Sequence, residues 1–238
     1  MSIAQNVAEI QERINAAARR VNRSTEEVIL MGVTKTVAAQ QIREAYDAGL
    51  RIFGENRVQE FSTKVEALRN LQDAEWHMIG HLQTNKAAKA AELFAHADSV
   101  DSLRLAQKLN SAAADLGKKL PILIEISIAG EAAKSGVAPD STTLEEIFKA
   151  APELSSLDIR GLMTVPPYHE EPEQCRPYFR KMRALFGQIA SKKLPAVNME
   201  VLSMGMSHDF EVAIEEGATC VRVGTGIFGE RPPLRSKN

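Results

Sequence analysis

The sequence predicts an α/β protein whose eight parallel strands close into a (β/α)8 TIM barrel, with one extra helix at the N-terminus. Short apolar runs alternate strictly with longer segments of helical period, and eight such runs occur in 238 residues without a Pro/Gly/Ser-rich linker. Strict alternation implies parallel strands, and eight of them imply closure of the sheet. A doubly wound open sheet is the alternative fold. We expect one domain over residues 1–238.

The strands are predicted from short apolar runs that are bounded by turn residues. The run 28–34 is too short and too rich in β-branched residues for a helix. The run 121–128 is the clearest strand, because its isoleucines alternate with Leu123, Glu125 and Ser127 and so specify two faces. The predicted strands are 28–34, 50–53, 75–80, a short run near Ser99, 121–128, 159–164, 199–203 and 219–223.

Segments of helical period precede and separate these strands. Gly49 and Gly117 end two of the helices, and Thr84 is predicted to cap a third. The helices between strands are predicted at 38–48, 56–70, 85–95, 102–116, 141–151, 173–190 and 207–216. The N-terminal helix is amphipathic, because apolar residues recur among charged ones at spacings of three, four and seven: Ile3, Val7, Ile10, Ile14 and Val21.

Composition excludes several classes of function. Lys and Arg number 29 against 31 Asp and Glu, a net charge of -2, so no global positive field favours nucleic acid or an anionic membrane surface. Cys175 and Cys220 are too few for a disulfide framework and fit a reducing compartment. No apolar stretch approaches the roughly 20 residues that cross a bilayer, and no signal-peptide segment opens the chain. We expect a soluble, cytoplasmic protein.

Lys35 is the most informative candidate for chemistry, because it follows the strand 28–34 directly. The carboxyl ends of barrel strands form the ligand site, and partial desolvation there favours the neutral, nucleophilic form of an amine. A lysine in this position is suited to forming a Schiff base with a carbonyl compound. The alternative is a strand-end lysine that pairs with a surface carboxylate.

The segments 203–207 and 224–226 form a predicted anion site. Both combine glycine with hydroxyl groups and backbone amides that can donate to phosphate oxygens, and the first opens a predicted helix. Phosphate sites recur near the last two strands of this fold. The alternative is ordinary turn glycines with a Ser or Thr cap. Gly224, Gly226 and Gly229 also match a dinucleotide fingerprint, which we reject because only nine residues follow Gly229.

Arg222 lies between Val221 and Val223 in the last strand. If the valines face the helices, the guanidinium points into the barrel and must find an acceptor there. Two partners are open at this stage, a ligand or Glu125, which shares the inner face of its strand with Leu123 and Ser127.

Two further sets of residues are weaker candidates. His77 and His81 are four residues apart but flank a strand end with no clear third ligand, so we do not expect a zinc site there. Glu55 and Glu60 are interpreted as a helix cap and a solvated face. No pattern supports a Ser/His/Asp triad.

Taken together, the strand-end motifs resemble the signature blocks of the pyridoxal phosphate homeostasis protein family. The resemblance extends in the family's order from about residue 28 to residue 231. Its blocks are VTKT (33–36), FGENRVQE (53–60), WHMIGHLQTNK (76–86), GLMT (161–164), LSMGMS (202–207) and VRVGTGIFG (221–229).

The resemblance implies an alanine-racemase-type barrel, the fold type III architecture of enzymes that use pyridoxal 5'-phosphate (PLP), with PLP held as a Schiff base on Lys35. It further implies that Arg222 faces the pyridine nitrogen and that Asn56 lies near the ring. The implied phosphate ligands are Ser203 or Ser207 with Gly224 and Thr225, and Met204 is a further implied cofactor-binding residue. A permanent cation at the pyridine nitrogen makes PLP a weaker electron sink.

Three functions follow as hypotheses. The first is a non-enzymatic protein of PLP homeostasis that buffers or delivers the cofactor, with PLP-dependent apo-enzymes as candidate recipients and a monomer or weak dimer as the expected state. The second is an amino-acid racemase-like enzyme of weak activity, for which no second acid-base partner is evident. The third is a phosphate-binding barrel without PLP.

Overall fold

Eight parallel strands form a closed barrel in the computed structural model, which describes residues 1–129 and 135–230. Each strand pairs with the next along the chain, and the last pairs with the first. The predicted (β/α)8 fold is therefore confirmed. Residues 130–134 and 231–238 of the predicted domain lie outside the described residues. The strands are β1 (Ile29–Val33), β2 (Ile52–Glu55), β3 (Glu75–Met78), β4 (His96–Val100), β5 (Leu120–Ile126), β6 (Leu157–Thr164), β7 (Val197–Met206) and β8 (Cys220–Val223).

Helices surround the barrel, and one of them precedes it. The N-terminal helix begins with a capping box, in which Ser2 Oγ accepts from the Gln5 amide and Gln5 Oε1 accepts from the Ser2 amide. The helices are α1 (Ile3–Arg20), α2 (Ala39–Asp47), α3 (Val58–Leu68), α4 (Ala87–Leu93), α5 (Leu103–Asp115), α6 (Thr142–Ala150), α7 (Arg176–Ser191), α8 (Phe210–Glu215) and the single turn α9 (Thr225–Phe228).

The main apolar core lies between the strands and the surrounding helices. Val221 and Val223 belong to this core, so the intervening Arg222 points to the opposite face of β8, which lines the barrel interior. Arg222 is 3% exposed and makes its hydrogen bonds to β6 and β7. The predicted inward orientation of this residue is thus confirmed.

Helix α1 packs beside the junction where the barrel closes. It contacts α8, α9 and α2, and its buried face includes Ile10 and Ile14 as predicted. Asn6 Nδ2 donates to the carbonyl of Ile227 at 2.8 Å, which fixes the helix to α9. Within the described ranges, every helix is too short or too polar to span a membrane.

The structure corrects several predicted boundaries. Thr84 does not cap a helix, because it lies inside a short 3-10 turn that precedes α4. The helix predicted at 207–216 begins only at Phe210, because β7 continues to Met206 and a turn follows it. Glu55 belongs to β2 rather than to a helix cap. For β2 and β7, pairing with the neighbouring strand extends the strand past the local sequence pattern.

Candidate functional site

Four of the predicted site residues lie just past the carboxyl ends of strands β1, β2, β7 and β8. Lys35 follows β1, Asn56 follows β2, Ser207 follows β7 and Gly224 follows β8. Because β8 pairs with β1 in parallel, the carboxyl ends of these two strands are neighbours, with Gly32 opposite Val223. Lys35 and the predicted anion site therefore lie at the same mouth of the barrel.

Lys35 is half-buried in a tight turn. The Val37 amide donates to the Thr34 carbonyl at 3.0 Å and closes this turn over Lys35 and Thr36. Thr36 has a φ of 60°, a left-handed conformation that is unfavourable for a β-branched residue. Strained backbone of this kind persists only where its surroundings hold it, and it clusters at functional sites.

A buried carboxylate supports the residue before Lys35. Glu55 is 0% exposed, and its Oε1 accepts from Thr34 Oγ1 at 2.7 Å and lies 2.8 Å from Lys64 Nζ. Burial raises the pKa of Glu55, and the nearby Lys64 ammonium partly offsets this rise. The interpretation of Glu55 as a helix cap is wrong, because its side chain joins β2 to the Lys35 turn.

A second carboxylate supports the residue after Lys35. Glu60 Oε1 accepts from the Thr36 amide at 2.5 Å and from Lys64 Nζ at 3.0 Å. Partial burial raises the pKa of Glu60, but these two donors outweigh it and lower the pKa overall. Lys64 also donates to the Thr34 carbonyl at 2.9 Å. The ammonium of Lys64 therefore connects both carboxylates to the turn that carries Lys35.

Asn56 lies beside the end of β3 with an unsatisfied polar atom. Its Oδ1 is buried and accepts no hydrogen bond within the described part of the chain. A Cβ atom at Gly80 would lie 2.4 Å from the Asn56 carbonyl oxygen, so only glycine permits this close approach. Asn56 and Gly80 line a cavity of about 240 Å³ at the same mouth of the barrel. A buried acceptor beside a cavity is suited to a ligand donor.

Glu125 lines the same cavity and does not pair with Arg222. Its Oε1 accepts from Ser135 Oγ at 2.9 Å, and its Oε2 is buried without a partner among the described residues. Burial raises the pKa of Glu125. Of the two partners left open for Arg222, Glu125 is not the one that binds it, because the guanidinium donates to acceptors on β6 and β7.

Arg222 is held by two oxygens on neighbouring strands. Its Nη1 donates to Ser203 Oγ at 2.6 Å, and its Nη2 donates to the Thr164 carbonyl at 2.7 Å. Burial lowers the pKa of Arg222, yet a guanidinium in a protein keeps its charge. Arg222 is therefore a cation with a fixed orientation inside the barrel.

Ser203 and Ser207 have different surroundings. Ser203 is 0% exposed and orients Arg222. Ser207 Oγ accepts from the amides of Gly224 at 3.0 Å and Gly226 at 3.4 Å, so an oxygen already occupies the position to which these amides point. Thr225 lies between them and is exposed. Of the two serines, Ser207 is the one that contacts the Gly224 and Gly226 amides of the predicted anion site.

Met204 stands apart from the other candidates. It is 0% exposed and belongs to the core between the barrel and the helices. Because Ser203 points inward to Arg222, the next side chain along the strand points outward. The structure therefore does not bring the Met204 side chain to the site.

Comparison with known proteins identifies the family. Residues 5–232 match the family described as alanine racemase, N-terminal domain. A pyridoxal phosphate homeostasis protein of Aquifex aeolicus is 46% identical, and the match covers 97% of this chain and 99% of that one. The protein of the same name from Escherichia coli K12 is 42% identical over 96% and 97% of the two chains.

This chain belongs to the pyridoxal phosphate homeostasis protein family. The resemblance seen in the strand-end motifs is thus confirmed. PipY of Synechococcus elongatus PCC7942, solved with PLP bound, matches with a TM-score of 0.80 at 35% identity, over 96% of this chain and all (100%) of PipY. A structure of an unknown protein from Bifidobacterium adolescentis matches with a TM-score of 0.85 at 33% identity, over 95% and 94% of the two chains.

Alanine racemases share the barrel alone. The enzyme of Clostridium difficile 630 matches with a TM-score of 0.70 at 20% identity, over 96% of this chain but only 57% of the racemase. At this identity the likeness shows the fold. The racemase chain thus contains a large portion that this match does not include.

Sequence reasoning missed the residues that support the Lys35 turn. Lys64 and Glu60 are four apart on α3, a spacing that indicates a pair on one helix face. This spacing is the sequence feature from which the Lys64–Glu60 pair could have been predicted. No local pattern signals that Glu55, in the preceding strand, joins them.

Proposed function

We propose that this chain binds PLP at the carboxyl mouth of its barrel, covalently through a Schiff base on Lys35, and acts in PLP homeostasis by buffering or delivering the cofactor. The observation that carries the proposal is the adjacency of the Lys35 turn and the Gly224–Gly226 amides on the paired strands β1 and β8. Family membership and the PLP bound to PipY support it.

The residues at the mouth fit the chemical groups of PLP. The amides of Gly224 and Gly226 already donate to an oxygen of Ser207, and phosphate oxygens accept from the same kind of donor. Ser207 and Thr225 offer hydroxyls beside these amides. Asn56 offers a buried acceptor without a partner among the described residues. We assign the phosphate to Ser207, Gly224 and Thr225, and the ring to Asn56 and Arg222.

Arg222 argues for holding the cofactor rather than for rapid catalysis. Bound PLP supplies an electron sink, whose strength depends on protonation of the pyridine nitrogen. A permanent cation facing that nitrogen disfavours its protonation. Ser203 and Thr164 keep the guanidinium in place. We therefore propose a protein that retains PLP and is not an enzyme.

A spectrum combined with lysine mapping tests the Schiff base. Protein reconstituted with PLP should be yellow, and borohydride reduction should leave the added mass on the peptide that contains Lys35. Lys35→Ala should abolish the band and the label, whereas Lys89→Ala, on exposed α4, should retain both. An unchanged band in Lys35→Ala would refute the assignment. A colourless reconstituted protein would favour a phosphate-binding barrel without PLP.

Two further measurements separate homeostasis from catalysis. Incubation of the PLP-loaded protein with L-amino acids in deuterated water should give no exchange of the α-proton, and sustained exchange would instead support a racemase-like activity. Delivery is tested by mixing loaded protein with a PLP-dependent apo-enzyme while a scavenger removes free PLP. Activation despite the scavenger supports direct transfer, whereas activation only without it supports release into solution.

A further inference from the structure

A second cluster of polar side chains lies at the opposite end of the barrel. Glu75 and His77 belong to β3, and His96 opens β4 directly opposite His77. Glu75 and His96 are the first residues of their strands, and His77 lies beside His96, whereas Lys35 and Ser207 follow the carboxyl ends of their strands. The cluster is therefore separate from the proposed PLP site.

The three side chains converge on one point. One potential ligand atom from each lies within 4.8 Å of the other two. Glu75 Oε2 is 3.8 Å from His77 Nε2 and 3.8 Å from His96 Nε2. Two imidazoles and a carboxylate are a ligand set typical of zinc in proteins.

His77 presents an unsatisfied nitrogen to this point. It is 7% exposed, and its Nε2 has no hydrogen-bond partner within the described part of the chain. Its Nδ1 lies 2.8 Å from Asp98 Oδ2, a buried carboxylate on β4. A carboxylate on one ring nitrogen fixes the tautomer and leaves the lone pair of the other nitrogen free for a metal. The pair has the arrangement of a metal-ligating histidine and its outer-shell carboxylate.

We propose that Glu75, His77 and His96 bind a divalent transition-metal ion, with Zn²⁺ as the first choice. Asp98 orients His77 in this site, and Glu75, which is exposed, leaves the fourth position of the ion open to water. Imidazole nitrogens with one carboxylate favour zinc, cobalt, nickel and copper over magnesium or calcium.

Binding requires one side chain to move. Ligand atoms around a tetrahedral zinc ion are about 3.4 Å apart, given zinc–nitrogen bonds of about 2.05 Å, so the 3.8 Å separations are slightly wide. The two imidazole rings are stacked, with centroids 4.0 Å apart and an interplanar angle of 7°. An ion lies close to the plane of each ring that binds it, so His96 must turn. Its side chain makes no hydrogen bond to any described residue and is 19% exposed.

The carboxylates around the cluster favour a bound cation, because Glu75 Oε2 lies 3.8 Å from Nε2 of each imidazole and Asp98 Oδ2 lies 2.8 Å from His77 Nδ1. Arg160 is the opposing positive charge near Glu75 and His96.

The position of the site indicates a structural role. The amino-terminal face of such barrels contributes stability, whereas chemistry occurs at the carboxyl face. An ion bound by Glu75, His77 and His96 would connect the starts of β3 and β4. We expect it to raise the melting temperature without affecting the mapping of PLP to Lys35.

The test uses full-length protein without a histidine tag, stripped with a chelator. Calorimetry with Zn²⁺ and the visible bands of tetrahedral Co²⁺ should both report one ion per chain, and Zn²⁺ should raise the melting temperature. Glu75→Gln and His96→Asn, which change partly exposed side chains, should each weaken binding at least about tenfold and remove the thermal shift. Lys35→Ala should bind the ion normally, so failure of the PLP proposal would not affect this result.

His81→Asn is the matched control. His81 also faces a carboxylate, Asp101 at 3.2 Å, but follows the other end of β3, so this variant should bind zinc as wild type does. No saturable binding by wild type, or unchanged binding by both site variants, would overturn the proposal. Equal loss in His81→Asn would do the same, because it would indicate non-specific histidine binding.

Discussion

Replacing Lys64 with methionine should be strongly destabilising, because it leaves the Glu55 carboxylate buried without its cation. Lys64 Nζ lies 2.8 Å from Glu55 Oε1, and the two side chains are 12% and 0% exposed. Removing one partner of such a buried pair costs about 3 to 5 kcal/mol, largely for the charge left behind. Methionine keeps the apolar part of the lysine side chain, so the loss of stability measures the effect of removing the ammonium group. Urea unfolding of the PLP-free protein, followed by circular dichroism, measures it.

The pH dependence of stability in Lys64→Met tests whether the buried Glu55 charge causes the destabilisation. Without Lys64 the pKa of Glu55 rises further above its unfolded value, so the folded state holds the extra proton. The stability of Lys64→Met should therefore fall as pH rises through that pKa and recover as the pH is lowered toward about 5. Glu55→Gln in the Lys64→Met background should recover a large part of the loss, since glutamine still accepts from Thr34.

An exposed ion pair provides the control for this variant. Lys89 and Glu92 lie 2.8 Å apart on α4 with side chains 47% and 54% exposed. Lys89→Met should cost about 0.5 kcal/mol or less. A loss of stability in Lys64→Met no larger than that in Lys89→Met, or one that is independent of pH, would contradict a buried Glu55 charge as its cause.

Three further predictions concern packing, capping and titration. Gly80→Ala should destabilise by about 1 to 3 kcal/mol, because its Cβ would lie 2.4 Å from a backbone oxygen. Gly187→Ala, whose added Cβ in α7 would meet nothing within 4 Å beyond its own helix backbone and chain neighbours, should raise stability by up to about 1 kcal/mol. Thermal melts measure both changes. Ser2→Ala should cost about 1 kcal/mol by removing the capping box of α1, and hydrogen exchange should show the loss in its first turn; uniform exchange would contradict this. In metal-free protein, proton NMR should find one histidine with a pKa near 9 and one with a pKa near 4, and His96→Asn should remove the lower titration. The stability that His77 contributes should be lost as pH rises through about 9. The stability that His96 contributes should be lost as pH falls from 6.5 toward about 4.

The barrel and the position of Lys35 were predictable because both depend on local patterns. Alternating apolar runs specify strands, and strand order in this fold follows chain order, so the residues after each strand fall at one mouth. The orientation of Arg222 followed from its two valine neighbours in the same way. The spacing of apolar residues was sufficient to predict side-chain orientation wherever one face of a strand or helix is buried.

The hydrogen-bond and ion-pair partners of polar side chains were not predictable, because they depend on the distances between segments that are far apart in the sequence. Arg222 could have reached Glu125 or a ligand, and only the structure shows it bonded to Ser203 and the Thr164 carbonyl. The sequence suggests that Glu55 is a polar residue before a helix. In the structure it is buried, and Lys64 and Thr34 compensate the carboxylate with an ion pair and a hydrogen bond. Strand ends shift similarly, since β7 extends to Met206 through its pairing with β8.

The pairing of β1 with β8 sets the order in which the protein can fold during synthesis. Helix α1 leaves the ribosome before the barrel strands do, but it packs against α8 and α9, and Asn6 bonds to a carbonyl 221 residues later. Strand β1 can pair with β2 early, but its other edge must wait for β8, and helix α1 must wait for α8 and α9. Contacts so distant in sequence slow folding and raise the demand for protection of nascent chains. Helix α1 is thus synthesised before the barrel but is fully stabilised only when the last strand and helices are in place.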